Sequence, residues 1–162
     1  KLGDGFLSHT QFTDQPVLRV VRREEMPPKK VINAVEGALL HDRERVGGWH
    51  NAAIRAGNYI FLSGVVGAYP GTRKLGETIE KQVRLIFDNA DEALRAHGAC
   101  ITDVVRMTMY FTDRDHTWPI LEKVRREIFL TAPPTSTGVG VTKLDLDAAL
   151  EIEMIAVVPD ND

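Results

Sequence analysis

Few residues in this chain have the type and spacing to do chemistry. From Leu150 to Val158 the positions alternate: Ile152, Met154, Ala156 and Val158 fall on one side, Glu151, Glu153, Ile155 and Val157 on the other. An extended strand therefore carries Glu151 and Glu153 on one face. A carboxylate in a partly desolvated cleft has a raised pKa and can serve as both acid and base. The plainer use of either is a structural hydrogen bond. His50 titrates near neutral pH and can shuttle protons, though a single loop histidine also serves as a cap. Trp49 beside it can stack on a flat conjugated ligand or pack into a core. His97 falls where a helix should end, and a structural role at the helix dipole suits it. Cys100 has no adjacent His, Lys or Arg to activate it and is not read as a nucleophile. The five histidines show no H-x-x-x-H spacing, so no metal site is expected.

The bulk properties narrow the classes. The 162 residues, 43% of them hydrophobic, suit one globular domain. A chain of this size buries roughly 70% of the surface its unfolded form exposes, enough for one core. With 20 Lys and Arg against 23 Asp and Glu, the net charge of -3 supplies no field for nucleic acid. Arg19, Arg22 and Arg23 run straight into Glu24 and Glu25 and read as a solvated mixed-charge segment. The single cysteine precludes an intrachain disulfide and fits a reducing, cytoplasmic setting. No apolar run approaches the roughly 18 residues of a membrane span, and Lys1 to Gln15 lacks the apolar stretch of a signal peptide.

Elements must position these groups. Residues 1–46 are irregular, with a short strand possible at Val17 to Val21 and a short helix or packed arm at Val31 to Leu40. Gly47 and Gly48 mark the entry to the main domain, 47–159, followed by a tail at 160–162. Ala52 to Ala56 and Tyr59 to Val66 predict two strands about a tight Gly57-Asn58 turn. Thr78 should cap a helix running to about His97, with Ile79, Val83, Ile86, Phe87, Ala90, Ala93 and Leu94 as its apolar stripe. A strand is expected over Val104 to Phe111, with Arg106, Thr108 and Tyr110 facing away from Met107 and Met109. Asp115 is the expected cap of a second helix, buried through Trp118, Leu121, Val124, Ile128 and Phe129. Strands at Thr137 to Val141 and Leu150 to Val158 close the domain. This is an α+β layout, two helices on one face of a mixed sheet. The other face has no helix left to cover it, so self-association is expected.

Four stretches in this order carry a resemblance: AGNYIFLSG (Ala56 to Gly64), QVRLIFDNADEALRAHGA (Gln82 to Ala99), DVVRMTMYFTD (Asp103 to Asp113) and LEIEMIAVV (Leu150 to Val158). Over about residues 48–158 the chain resembles the Rid family, the YjgF-type imine deaminases. The resemblance implies a chorismate-mutase-like fold, a homotrimer whose sheets form a central barrel, and a small-molecule cleft at each subunit interface. It also implies hydrolysis of reactive enamines and imines, releasing ammonia without a cofactor.

Carried over residue by residue, Glu151 matches the family's glutamate that orients or deprotonates the attacking water. Ser63 and Gly64 match the strand end whose backbone lines the cleft. His116 and Trp118 fall near a segment that borders it. Three departures stand out. The family's Pro-x-Arg-Ser, whose arginine forks onto the substrate carboxylate, is here Pro134-Thr135-Ser136-Thr137, so Ser136 replaces a planar five-donor cation. His50 stands where the family has a tyrosine. Ser63 to Gly67 reads SGVVG in place of Ser-Gly-Gln. A lost charge-assisted pair is worth roughly 1.5–3 kcal/mol per hydrogen bond, so tight α-carboxylate binding by this route is not expected. The expectation is an enzyme acting on a small conjugated imine or enamine, with catalytic Glu151 and His50, and with Ser63, Gly64, Ser136 and Trp49 lining the site. A tautomerase, cyclase or hydrolase of a specialised pathway, or a non-catalytic binding module, remains as the alternative. A ribonuclease-like role fits the acidic balance poorly.

Overall fold

Alternating and helical apolar patterns assemble into two layers. The structure, a computed structural model, describes residues 51–159. His50, Trp49 and the expected elements at Val17 to Val21 and Val31 to Leu40 lie outside the described residues. The strands are β1 (Ala53–Ala56), β2 (Tyr59–Leu62), β3 (Val65–Val66), β4 (Val104–Phe111), β5 (Thr135–Gly140) and β6 (Leu150–Val157). The helices are α1 (Ile79–Arg95) and α2 (Arg114–Ile128). The sheet order is β1-β2-β6-β4-β5, with β3 also paired to β6. Among the described strands only the β4–β5 pair is parallel, because α2 forms the crossover between them. This is the expected α+β architecture.

The first hairpin turns at Gly57-Asn58. Gly57 has φ +62 and Asn58 stays negative, the pattern of a type II′ turn rather than one with both residues left-handed. Thr78 caps α1 by accepting a hydrogen bond from the Lys81 N–H at 3.1 Å. The stripe of α1 is buried as expected from Val83 to Leu94, with Ile79 only partly buried, and is widened by Leu85 and Asn89. Asn89 is tolerated there because its amide donates to the Ala68 carbonyl at 2.9 Å. Between helices and sheet, Ile60, Ile86, Leu94, Met107, Met109, Phe111, Leu121, Leu150, Ile152 and Met154 are almost fully buried. Each such side chain contributes about 1.5–3 kcal/mol.

Three local expectations differ from the fold. The cap of α2 is Asp113, not Asp115: its carboxylate accepts the His116 N–H at 3.1 Å, while Asp115 sits exposed in the first turn. The run from Tyr59 to Val66 is not one strand, since it breaks at Ser63 and Gly64 between β2 and β3. Strand β5 starts at Thr135, two residues before the expected start.

The open face of the sheet is semi-apolar. Tyr59 and Phe61, whose ring centroids lie 6.4 Å apart, are 54% and 45% exposed. Register puts Ile155 beside Phe61, Val157 beside Tyr59, and Val139 beside Tyr110. No described helix covers this face.

Candidate active site

Glu151 enters the site from the start of β6, opposite Val66 of β3 on one side and Tyr110 of β4 on the other. Its half-buried carboxylate lies directly over Gly64, so that a Cβ at Gly64 would overlap it. This close approach explains why the strand breaks where it does. Beyond Gly64 the backbone must step aside for the carboxylate before β3 resumes pairing with β6. Ser63 anchors the same step. Its N–H donates to the Ala52 carbonyl at 2.9 Å, and its hydroxyl donates to the Asn51 carbonyl at 2.7 Å. The Ser63 side chain is thus engaged by backbone, and Gly64 lies in direct contact with Glu151.

The start of β6 is held from the helix side by Gln82. Its carboxamide donates to the Gly76 carbonyl at 3.1 Å and accepts the Ala149 N–H at 3.2 Å, two residues before Glu151. Nothing in the sequence pattern singles out Gln82 for this bridge, because its two partners are 6 and 67 residues away.

Glu153 shares the face of Glu151 but has a different neighbour. Tyr110 donates its hydroxyl hydrogen to Glu153 at 2.8 Å. That hydrogen bond pushes the Tyr110 pKa up, with burial and then the charges of Glu153 and Glu151 adding to the effect. Two carboxylates and a phenol therefore form one cluster on the open face. Alternation alone puts Tyr110 on this face but does not single it out for the site. Its diagonal reach to Glu153 is the part only pairing register reveals.

Ser136 lies elsewhere. It pairs with Met107, whose side chain is buried under the helices, so Ser136 belongs to the helix side of the sheet. The row of Glu151 runs through Tyr110 to Val139, three residues further along β5. Within one chain the fold therefore does not bring Ser136 and Glu151 together. The arginines that could replace the missing cation are also accounted for. Arg55 donates to the carbonyls of Gly57 at 3.0 Å and His97 at 2.8 Å. Arg73 pairs with Asp145 at 3.4 Å on the surface. Arg106 reaches Thr137 at 3.4 Å on the open face, where it lines a shallow groove with Phe61, Thr108, Glu153 and Ile155.

The remaining sequence candidates sit in structural roles. His97 is buried, and its Nδ1 lies 2.8 Å from the Ala93 carbonyl, a donor's position. His116 is exposed in the first turn of α2. Trp118 packs on Phe111 with ring centroids 6.1 Å apart. Among the described residues no group of three or more His, Cys, Asp or Glu could hold a metal ion. No helix there is long and apolar enough to cross a membrane.

The two-helix layer on this strand order is an architecture found in solved structures. The family described as endoribonuclease L-PSP matches residues 42–158. The RutC family protein YjgH of Escherichia coli is 38% identical over 114 residues, covering 69% of this chain and 85% of that protein. The chloroplastic reactive intermediate deaminase A of Arabidopsis thaliana is 34% identical over 112 residues, covering 68% and 59%. Among solved structures, a probable translation initiation inhibitor from Rhodopseudomonas palustris superposes with a TM-score of 0.74 at 29% identity, covering 82% of this chain and all of that one. The chain belongs to this Rid (YjgF-type) family, and its fold is chorismate-mutase-like.

Proposed function

We propose that the chain hydrolyses a small conjugated imine or enamine, with Glu151 as the acid–base residue, in a cleft completed by a second copy within a homotrimer. The observation that carries this reading is the Glu151 carboxylate seated over Gly64 beside Tyr110. A relative named as a reactive intermediate deaminase supports the reaction class. Glu151 takes a proton from water as the oxygen adds to the C=N carbon. The same proton is then delivered to nitrogen to give a carbinolamine; its hydroxyl proton passes through Glu151 to the amino group as the C=O bond forms and the C–N bond breaks, and ammonia leaves. The balance needs water alone, so the proposed reaction uses no cofactor.

The two faces supply different parts. Glu151 serves on the open face, and Ser136 on the helix side contributes a neutral hydroxyl. A subunit interface can join the two, with the Ser63–Gly64 backbone as part of the wall. In this reading His50 assists proton transfer and Trp49 stacks on the substrate. With Ser136 in place of a guanidinium, substrates without a free α-carboxylate are favoured, and turnover of 2-aminoacrylate-type imines is weak. The test is ammonia release from imines generated in situ, by the parent chain and by Glu151→Gln. Equal rates for the two would overturn the assignment. Binding without ammonia release by either would instead favour the non-catalytic module.

A further inference from the structure

The cation missing at Ser136 has a counterpart in an unusual position. Arg125, in the last turn of α2, is 9% exposed. Arginine is almost never buried this far without a partner. Yet the Nε of Arg125 is buried with no acceptor, and among the described residues its side-chain acceptor is Glu122, at 3.5 Å from Nη1. That distance is at the edge of a hydrogen bond. The other oxygen of Glu122 is taken by Arg126 at 2.9 Å. Two guanidinium groups therefore share one carboxylate, leaving the cluster one positive charge in excess. The face of Trp118 lies 6.0 Å from the Arg125 guanidinium carbon, which stabilises the cation without supplying an acceptor.

This cluster opens on a groove. It is lined by the charged Glu122, Arg125 and Arg126 together with Phe129, Leu130 and Pro133. Leu130, one of these lining residues, is 81% exposed. One surplus positive charge beside a short apolar wall is complementary to a small monoanion with an apolar body. A carboxylate in the groove would give the Arg125 guanidinium the close charge-assisted partner that Glu122, at 3.5 Å, does not provide.

We infer that this groove is a binding site for a small monocarboxylate with a short apolar chain, held by Arg125. It is on the helix side of the sheet, the side of Ser136, and away from Glu151. It does not depend on the proposed hydrolysis, because it is tested by binding rather than turnover.

The probe is butyrate, with Trp118 fluorescence as the readout in the full chain carrying Trp49→Phe. Butyrate should change the emission saturably, and the neutral isostere butyramide should not. Arg125→Met should weaken the response roughly tenfold or more, the equivalent of one charge-assisted hydrogen bond. Arg125→Lys should weaken it less. Leu130→Glu, at an exposed position that leaves the core untouched, should also weaken it, which keeps the test open should Arg125→Met fail to fold. A response matched by chloride at equal ionic strength would mean an adventitious ion only. An unchanged response in Leu130→Glu, or in folded Arg125→Met, would overturn the site.

Discussion

Tyr110 stands beside Glu151 in the β4–β6 register but gives its hydroxyl hydrogen to Glu153, 2.8 Å away. The two carboxylates of β6 are thereby distinguished: one is held by a phenol, the other is closed over Gly64. Glu151→Gln is expected to lower turnover by roughly 10²–10⁴-fold. Glu153→Gln and Tyr110→Phe, which disturb the phenol–carboxylate pair, are expected to lower it far less. Steady-state rates of the three variants check this, and the reverse order would transfer the role to Glu153.

Gly64→Ala tests the close approach itself. The added methyl group occupies the space of the Glu151 carboxylate, which must rotate away. Displacing a reacting group by about 1 Å can cost on the order of 10²-fold in rate. The expected result is a large fall in kcat with the circular dichroism spectrum retained. Full activity would place the working carboxylate elsewhere.

The sheet face that no described helix covers predicts assembly. Light scattering coupled to gel filtration should give about three chain masses for the parent, and Phe61→Glu should shift the population toward the monomer. The reason is the cost of burying a carboxylate against apolar neighbours such as Ile155. A monomeric parent chain would remove the interface from the proposed site.

The cap of α2 separates two adjacent acids. Asp113→Ala should cost about 1 kcal/mol of stability, within the 0.5–2 range for a lost N-cap. Asp115→Ala, at an exposed position in the first turn, should cost clearly less. Denaturant unfolding of both variants measures the difference, and equal losses would contradict the assignment of Asp113.

The loop before α1 carries a pH signature. The hydrogen bond from Tyr69 to Glu77, 2.8 Å long, lowers the Glu77 pKa from 4.5 to about 2, helped by Lys74. A depressed carboxylate pKa stabilises the fold above the unfolded value and loses that effect as pH falls through the folded value. Tyr69→Phe should therefore melt below the parent near neutral pH, and the gap should close as pH drops from 4.5 to about 2. The pair is on the surface, so the gap should be small. A gap that is constant across this window would point to packing rather than ionisation.

The elements of this domain were largely legible in its sequence. The stripe of α1, the alternation of β4 and the hairpin at Gly57 depend on spacings within a few residues, where backbone geometry alone dictates the pattern. Glu151 and Glu153 could likewise be assigned to one face from alternation. The break at Ser63–Gly64 could not, because its cause is a carboxylate about 90 residues later in the chain, and β-propensity by itself continues the strand. The cap of α2 is not legible to within two residues because either aspartate is a chemically adequate cap, and the choice rests on which one points at the His116 N–H. Tertiary structure also decided the division of the site. Cross-strand register sends Ser136 to the helix side and Glu151 to the open side, and joins Tyr110 to Glu153. Register is a relation between distant segments, set by which faces are buried together, so no local spacing contains it.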